Sequence, residues 1–253
     1  DYKSKVFFEE LGDFEEIGKE VSENALKKLN SRKLKTCKSD VIFDSKVSSS
    51  LLRNLFSASN SQSIIKGISF LKNKINKKVF NKNVSIIDNP LMEKKLRSRI
   101  SDCEGIESKK RYLIENGNLN FFFNSLNSAR QLGLKPTGHA SRSVSSIPGV
   151  SFSNLYMENG KIPKNEMIKS LKKGLLVTEL MGSSINYSSG DYSRGASGFW
   201  IENGEITFPV SEITIAGNLK DIFKSLIPAD DLAFNFSVNA PSCMVENLTL
   251  GGK

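Results

Sequence analysis

The chain holds one histidine, His139, and three cysteines, Cys37, Cys103 and Cys243, so metal or nucleophile chemistry has few residues to draw on. A zinc peptidase of the H-E-x-x-H kind needs two imidazoles one helical turn apart, so that both nitrogens meet one ion while the Glu polarises water. One histidine cannot supply that pair. His139 stands in Pro136-Thr137-Gly138-His139-Ala140-Ser141-Arg142. It reads as a lone ligand, a general base or a hydrogen-bonding residue, and the last is favoured because one neutral imidazole holds a catalytic zinc poorly without Cys or carboxylate partners. Residue types alone allow a Cys-His nucleophile pair. Cys243, however, begins the strand-like run CMVENLTL, and we read it as a buried, inert thiol. No catalytic residue and no metal ligand is assigned.

The richest segment for contacts is residues 182–198, GSSINYSSGDYSRGASG, with glycines at 182, 190, 195 and 198 among serines and two tyrosines. Such a run can wrap a ligand with backbone N–H groups, while Asp191 and Arg194 can pair with each other or with peptide termini. It lacks G-x-x-x-x-G-K-[ST] and leads into a strand, which argues against a phosphate loop. The candidate peptide- or partner-contact residues are therefore Gly190, Asp191, Tyr192, Ser193 and Arg194, with His139 added. Tyr192 offers a flat amphipathic face of the kind enriched at interfaces. A surface loop braced by an Asp191–Arg194 contact is the equal alternative.

These residues must be positioned by a β-rich framework. Three Asn-Gly turns, Asn116-Gly117, Asn159-Gly160 and Asn203-Gly204, each follow a Glu and an apolar or alternating run. A type I′ turn needs positive φ at both central residues, so each Asn-Gly predicts an antiparallel hairpin. Helices are predicted over residues 121–132, 165–173 with Gly174 as a C-cap, and 218–226. Upstream, residues 40–44 read as a short apolar strand, followed by Ser48 as an N-cap before Leu51, Leu52, Leu55 and Phe56 at helical spacing. Residues 13–29 place Ile17, Val21, Ala25 and Leu29 four apart, an amphipathic helix. Residues 61–95, rich in Lys and Asn with Ile and Val interspersed, read as irregular structure with short strands such as residues 83–87. The fold class is α+β, an antiparallel β-rich sheet or open barrel with several interspersed helices.

At 253 residues and 38% hydrophobic, the chain can bury a substantial core. No apolar run approaches the roughly 20 residues that span a bilayer, so no membrane partner is expected. The scattered odd cysteines, without a secretion signal, fit a reducing cytoplasm. The formal charge is +9, yet the lysines are spread among Asn, Ser and Ile, and no helix-turn-helix, RNP or zinc-finger spacing accompanies them. We read a solvated basic face rather than a nucleic-acid footprint. The opening residues lack an initiating Met and suggest a fragment.

Residues 174–223, GLLVTELMGSSINYSSGDYSRGASGFWIENGEITFPVSEITIAGNLKDIF, closely resemble the signature region of the PmbA/TldE family, part of the TldD/PmbA modulator of DNA gyrase group. The resemblance continues through Ser128 to Ala140 and Ser153 to Tyr156, and on to Asn247 through Gly252. It covers about half the chain strongly, with a looser match over residues 14–111. It implies an amino-terminal α/β domain before a β-rich carboxy-terminal one. On that basis residues 1–30 are a helix left from, or linking to, a missing amino-terminal domain, and residues 31–253 are the β-rich domain. The related TldD-type subunits carry an H-E-x-x-x-H motif on a helix after an early strand and a metal-binding cysteine in a late glycine-rich loop. Here the matching helix reads SSSLLRNLF, without His or Glu, and residues 234–242 are too short for that loop. The resemblance thus implies a subunit without metal or cofactor of its own. Zinc is expected only in a TldD-like partner subunit that acts on unfolded peptides in peptide processing and antitoxin turnover, and a homodimer is allowed without that partner. The two rival readings are a chain that is itself a metallopeptidase, as the family label implies, and a basic nucleic-acid-binding module.

Overall fold

The computed structural model describes residues 3–252. After a short 3-10 turn at Phe8–Glu10, the chain runs α1 (Phe14–Lys27), β1 (Cys37–Phe43), α2 (Ser45–Ser59), α3 (Ser61–Ile65), β2 (Ile86–Asp88), β3 (Arg111–Glu115) and β4 (Asn118–Leu119). It continues through α4 (Leu126–Leu132), β5 (Ala140–Ser141), β6 (Gly149–Val150), β7 (Leu155–Met157), α5 (Lys164–Ser170), β8 (Lys173–Ile185) and β9 (Asp191–Glu202). The last elements are β10 (Glu205–Asn218), α6 (Leu219–Ser225), β11 (Ile227–Pro228), β12 (Val238–Asn239) and β13 (Cys243–Gly251).

The α+β class expected from the sequence is the class observed. Strands β1, β8, β9, β10 and β13 form a closed barrel, because β1 pairs with both β8 and β13. The β1–β8 pair is parallel, with Asp40 opposite Gly174 and Phe43 opposite Val177, and the other barrel pairs are antiparallel. Closure removes the free edges that an open sheet would expose. Side chains alternate across the wall as a strand requires. Val41, Phe43, Leu175 and Val177 join the main core, while Ile42, Leu176 and Ile201 face outward under Met167, Ile168 and Leu171 of the α5 region. A second sheet, ordered β12-β7-β2-β3-β4, packs with α2 against the barrel.

Two of the three Asn-Gly turns close hairpins. Asn116 and Gly117 take φ of 48° and 84° between β3 and β4, and Asn203 and Gly204 take 51° and 82° between β9 and β10. Asn159-Gly160 closes none. Its glycine is needed for close approach, since a Cβ there would lie 1.8 Å from the Pro228 carbonyl oxygen, and the Gly160 N–H donates to Ala229 instead. Three further expectations shift. Asp44, not Ser48, caps α2 by accepting from the Lys46 N–H, and Ser48 is buried inside the helix. Residues 121–123 pack their rings before α4 starts behind its Ser125 cap. Gly174 belongs to β8, where it makes room for Leu171.

Helix α1 is capped by Asp13 and buries none of its residues. Phe14, Val21 and Leu26 are exposed. It is tied to the body by ion pairs from Glu20 to Lys46 at 2.9 Å and from Lys28 to Glu179. The Lys28 and Ser197 hydrogen bonds hold the Glu179 carboxyl below its ordinary range.

Candidate functional site

The glycine-rich segment forms the end of the long β8–β9 hairpin, and its polar groups satisfy one another. Gly190, at φ +91°, accepts at its carbonyl from the Leu219 N–H, and a Cβ there would meet the Asn218 side chain at 2.6 Å. Asp191 accepts from Ser189 Oγ and from Asn218 Nδ2 at 3.2 Å. Arg194 donates from Nε to the Gly182 carbonyl at 2.8 Å. The supposed Asp191–Arg194 brace is absent from the ion pairs among the described residues; each residue braces a different strand end instead. Ser193 lies half-buried in the ladder opposite Ala216 and Ser184.

Tyr192 corrects the sequence expectation. It is 1% exposed and sits in the main core, so its ring is not available at a surface. Residues alternate across a strand, and the same pleat that exposes Asp191 turns Tyr192 inward. Its hydroxyl has no hydrogen-bond partner among the described residues, and burial pushes its pKa up to about 12 against the opposing pull of Arg194.

His139 is likewise internal, at 2% exposed, so it is no surface contact. Its ring stacks on Phe121 and meets Phe123 edge-on, and Nε2 lies 3.1 Å from Asp88 Oδ2. Asp88 is fully buried at the end of β2, and its other oxygen accepts from the Ser153 N–H at 2.7 Å. Nearby, Asp102 accepts from the backbone N–H groups of Glu104, Ile106 and Ala140. Arg99 donates to the Gly138 carbonyl at 3.3 Å. Burial lowers the Arg99 pKa, while Asp88 and Asp102 pull it back up. The sequence did not mark this network, because its members are spread from residue 88 to residue 153.

The helix that follows the first strand is α2. Its buried positions are Ser48, Leu51, Leu52, Asn54, Leu55, Ala58 and Ser59, which offer no imidazole or carboxylate. Cys243 is fully buried against Met157 Sδ, and burial raises its thiol pKa. Among the described residues no group of three or more His, Cys, Asp and Glu stands close enough to hold a metal ion. A catalytic zinc, which takes three protein ligands and an open position, does not fit this donor set. What the region does hold is a polar clamp that the sequence reading missed. Lys164 pairs with Asp44 at 2.5 Å and lies 3.9 Å from Asp231, and Asp231 accepts from Ser242 Oγ and its N–H. Ser242 in turn accepts from the Ser45 N–H, so the clamp fastens the start of α2 to the segment before β13.

No helix among the described residues is long and apolar enough to cross a membrane. Residues 36–252 match the family described as PmbA/TldA metallopeptidase C-terminal domain. The chain is 35% identical over 238 residues to metalloprotease PmbA of Escherichia coli O157:H7, covering 94% of this chain and 51% of that protein. It superposes on a Bacteroides thetaiotaomicron crystal structure, of a protein named for DNA gyrase modulation, with a TM-score of 0.88 at 34% identity, over 99% of this chain and 55% of the other. TldE from Thermococcus kodakarensis gives a TM-score of 0.84 at 26% identity, with 94% and 55% coverage. The chain thus spans about half the length of the relatives it matches. By the extent of that match, this chain belongs to the PmbA/TldD metallopeptidase family, of which it carries the C-terminal domain.

Proposed function

We propose that this domain serves in a TldE-type subunit that binds no metal itself and pairs with a TldD-like zinc subunit to cleave unfolded peptides in the cytoplasm. One observation carries the reading: the buried face of α2, where the metal-bearing branch of the family is expected to place its H-E-x-x-x-H motif, consists of Ser, Leu, Asn and Ala. Hydrolysis by a metal-activated water needs a cluster of ligands, and among the described residues no such group of His, Cys, Asp and Glu stands together. Gly190 is buried against Asn218 and Lys220, so the candidate contacts that remain exposed or half-exposed, Asp191, Ser193 and Arg194, would then serve assembly or peptide handling. Co-purification with a TldD-like protein is the test, with zinc content and cleavage of an unfolded peptide measured for the chain alone and for the pair. We expect cleavage from the pair and no stoichiometric zinc in this chain. One equivalent of zinc that survives mild chelation, together with cleavage by this chain alone, would make it the peptidase and end the proposal.

A further inference from the structure

The 27 acidic residues of this chain avoid two long stretches: residues 45–87 and residues 116–157 contain no Asp or Glu. Folding brings the two stretches together. Helix α3 packs on α4, with Ser61 Oγ 2.8 Å from Ser128 Oγ and a bridge between Asn60 and Phe123. Between them lies a groove of about 500 Å³, lined solely by residues of these two stretches. Its floor is apolar, from Ile64, Ile75, Phe122, Leu132 and Leu134, with Ile65 exposed at the edge, while Asn73 and Gln131 add polar groups to the walls. Lys72 lines it directly. Lys66, Lys74, Arg130 and Lys135 adjoin lining residues in the chain, and all five cations are exposed. None of them makes an ion pair among the described residues.

A cleft of this size suits one or two side chains, and a cleft with an apolar floor and a rim of unneutralised cations suits an apolar side chain carried on an anionic segment. Two other occupants fit less well. Single-stranded nucleic acid needs exposed rings on which bases stack. The two aromatics among these lysines face inward, with Phe80 stacked on Phe223 at 4.4 Å and Phe70 packed on the same ring. A second copy of the chain, at +9, brings the wrong charge. We propose that the groove between α3 and α4 docks an acidic polypeptide segment bearing an aliphatic or aromatic anchor, with the anchor in the cleft and the carboxylates on the lysine rim. This goes beyond the subunit function above, because it requires neither a metal nor cleavage.

Fluorescence anisotropy of a short fluorescein-labelled peptide of Asp, Glu, Leu and Phe, titrated with the purified chain, tests the docking without any partner subunit. We expect saturable binding that weakens as salt screens the rim. Lys72→Glu combined with Lys74→Glu should weaken it at least about tenfold, which corresponds to about 1.4 kcal/mol. Ile65→Ser should weaken it several-fold, and both variants change exposed residues, so folding is preserved. Three results would each overturn the proposal: no saturable binding, equal binding of a peptide of Asp and Glu alone, or equal or tighter binding of oligo-dT with the same dependence on Lys72 and Lys74.

Discussion

The barrel and the layer built around Asp88 solve the same packing problem in opposite ways. In the barrel, the long strands β8, β9 and β10 repeat one small interaction many times, as alternate residues enter the core and the backbone is satisfied by the ladder. In the layer that runs from Asp88 to Asn154, strands are two to five residues long. There a few buried polar groups carry the order: Asp88 holds His139 and Ser153, Asp102 holds three backbone N–H groups, and Asn154 holds Asn89, Arg97 and Ser98. Distributed apolar burial answers a lost methyl with a small, graded cost. A buried charge with few partners offers no such gradation, because its removal leaves those partners unpaired.

The sharpest test of that difference removes the centre of the polar layer. Asp88→Ala strands His139 Nε2 and the Ser153 N–H and takes away a charge that favours the half-buried Arg99 guanidinium. Breaking a buried pair in this way costs about 3–5 kcal/mol. In the barrel, Ile215→Val at a fully buried position should cost only about 0.5–1.5 kcal/mol. Urea unfolding of both variants gives the two values. If Asp88→Ala falls in the range of Ile215→Val, the contrast between the two regions is void.

The same contrast decides what was legible in the sequence. The hairpin at Asn203-Gly204 is announced by a local rule, since the dipeptide, its flanking Trp200-Ile201 and the following Ile206 all point to one turn. Helix α1 shows itself by its period, and the core of strand β1 by a short apolar run between turn formers. Asn159-Gly160 obeys the same local rule and misleads, because its glycine answers to Pro228, a contact between residues far apart in the chain. The Asp88 network is of that kind throughout. For the candidate site, the chain names its residues but not their directions: Asp191 and Arg194 lie outside, whereas one pleat turns Tyr192 into the core.

Tyr192 is the exception inside the barrel, a polar atom without a partner among the described residues, and it allows a middle-sized test. At neutral pH its buried hydroxyl stabilises nothing, so Tyr192→Phe should leave the chain unchanged or up to about 1 kcal/mol more stable. The pH dependence has a definite sign. The folded pKa of about 12 lies above the unfolded value of about 10, so the neutral ring's contribution is complete below pH 10 and is lost as pH rises toward 12. At about 1.4 kcal/mol per pH unit, the stability advantage of Tyr192→Phe should grow by up to about 3 kcal/mol across that window. A difference between the two proteins that stays flat from pH 9 to pH 12, in melts run across that range, would place the ring in contact with water.

The smallest expected effect concerns the residues proposed to face a partner. Asp191 is bonded to Ser189 and Asn218, and Arg194 to the Gly182 carbonyl, so the two side chains share no partner although only two residues separate them. Independent sites add, and a double-mutant cycle through Asp191→Ala and Arg194→Ala should therefore give a coupling within about 0.3–0.5 kcal/mol of zero. Each single change at these exposed or half-exposed positions should itself cost about 0–1 kcal/mol. A coupling well above that range would restore the direct Asp191–Arg194 brace and make the hairpin end a structural feature. With stability nearly unchanged, the informative readout moves to assembly with a TldD-like subunit and to the cleavage that the pair performs. Arg194→Ala should lower both if the hairpin end meets the partner, and an assembled, fully active pair would confine this segment to holding β8, β9 and α6 together.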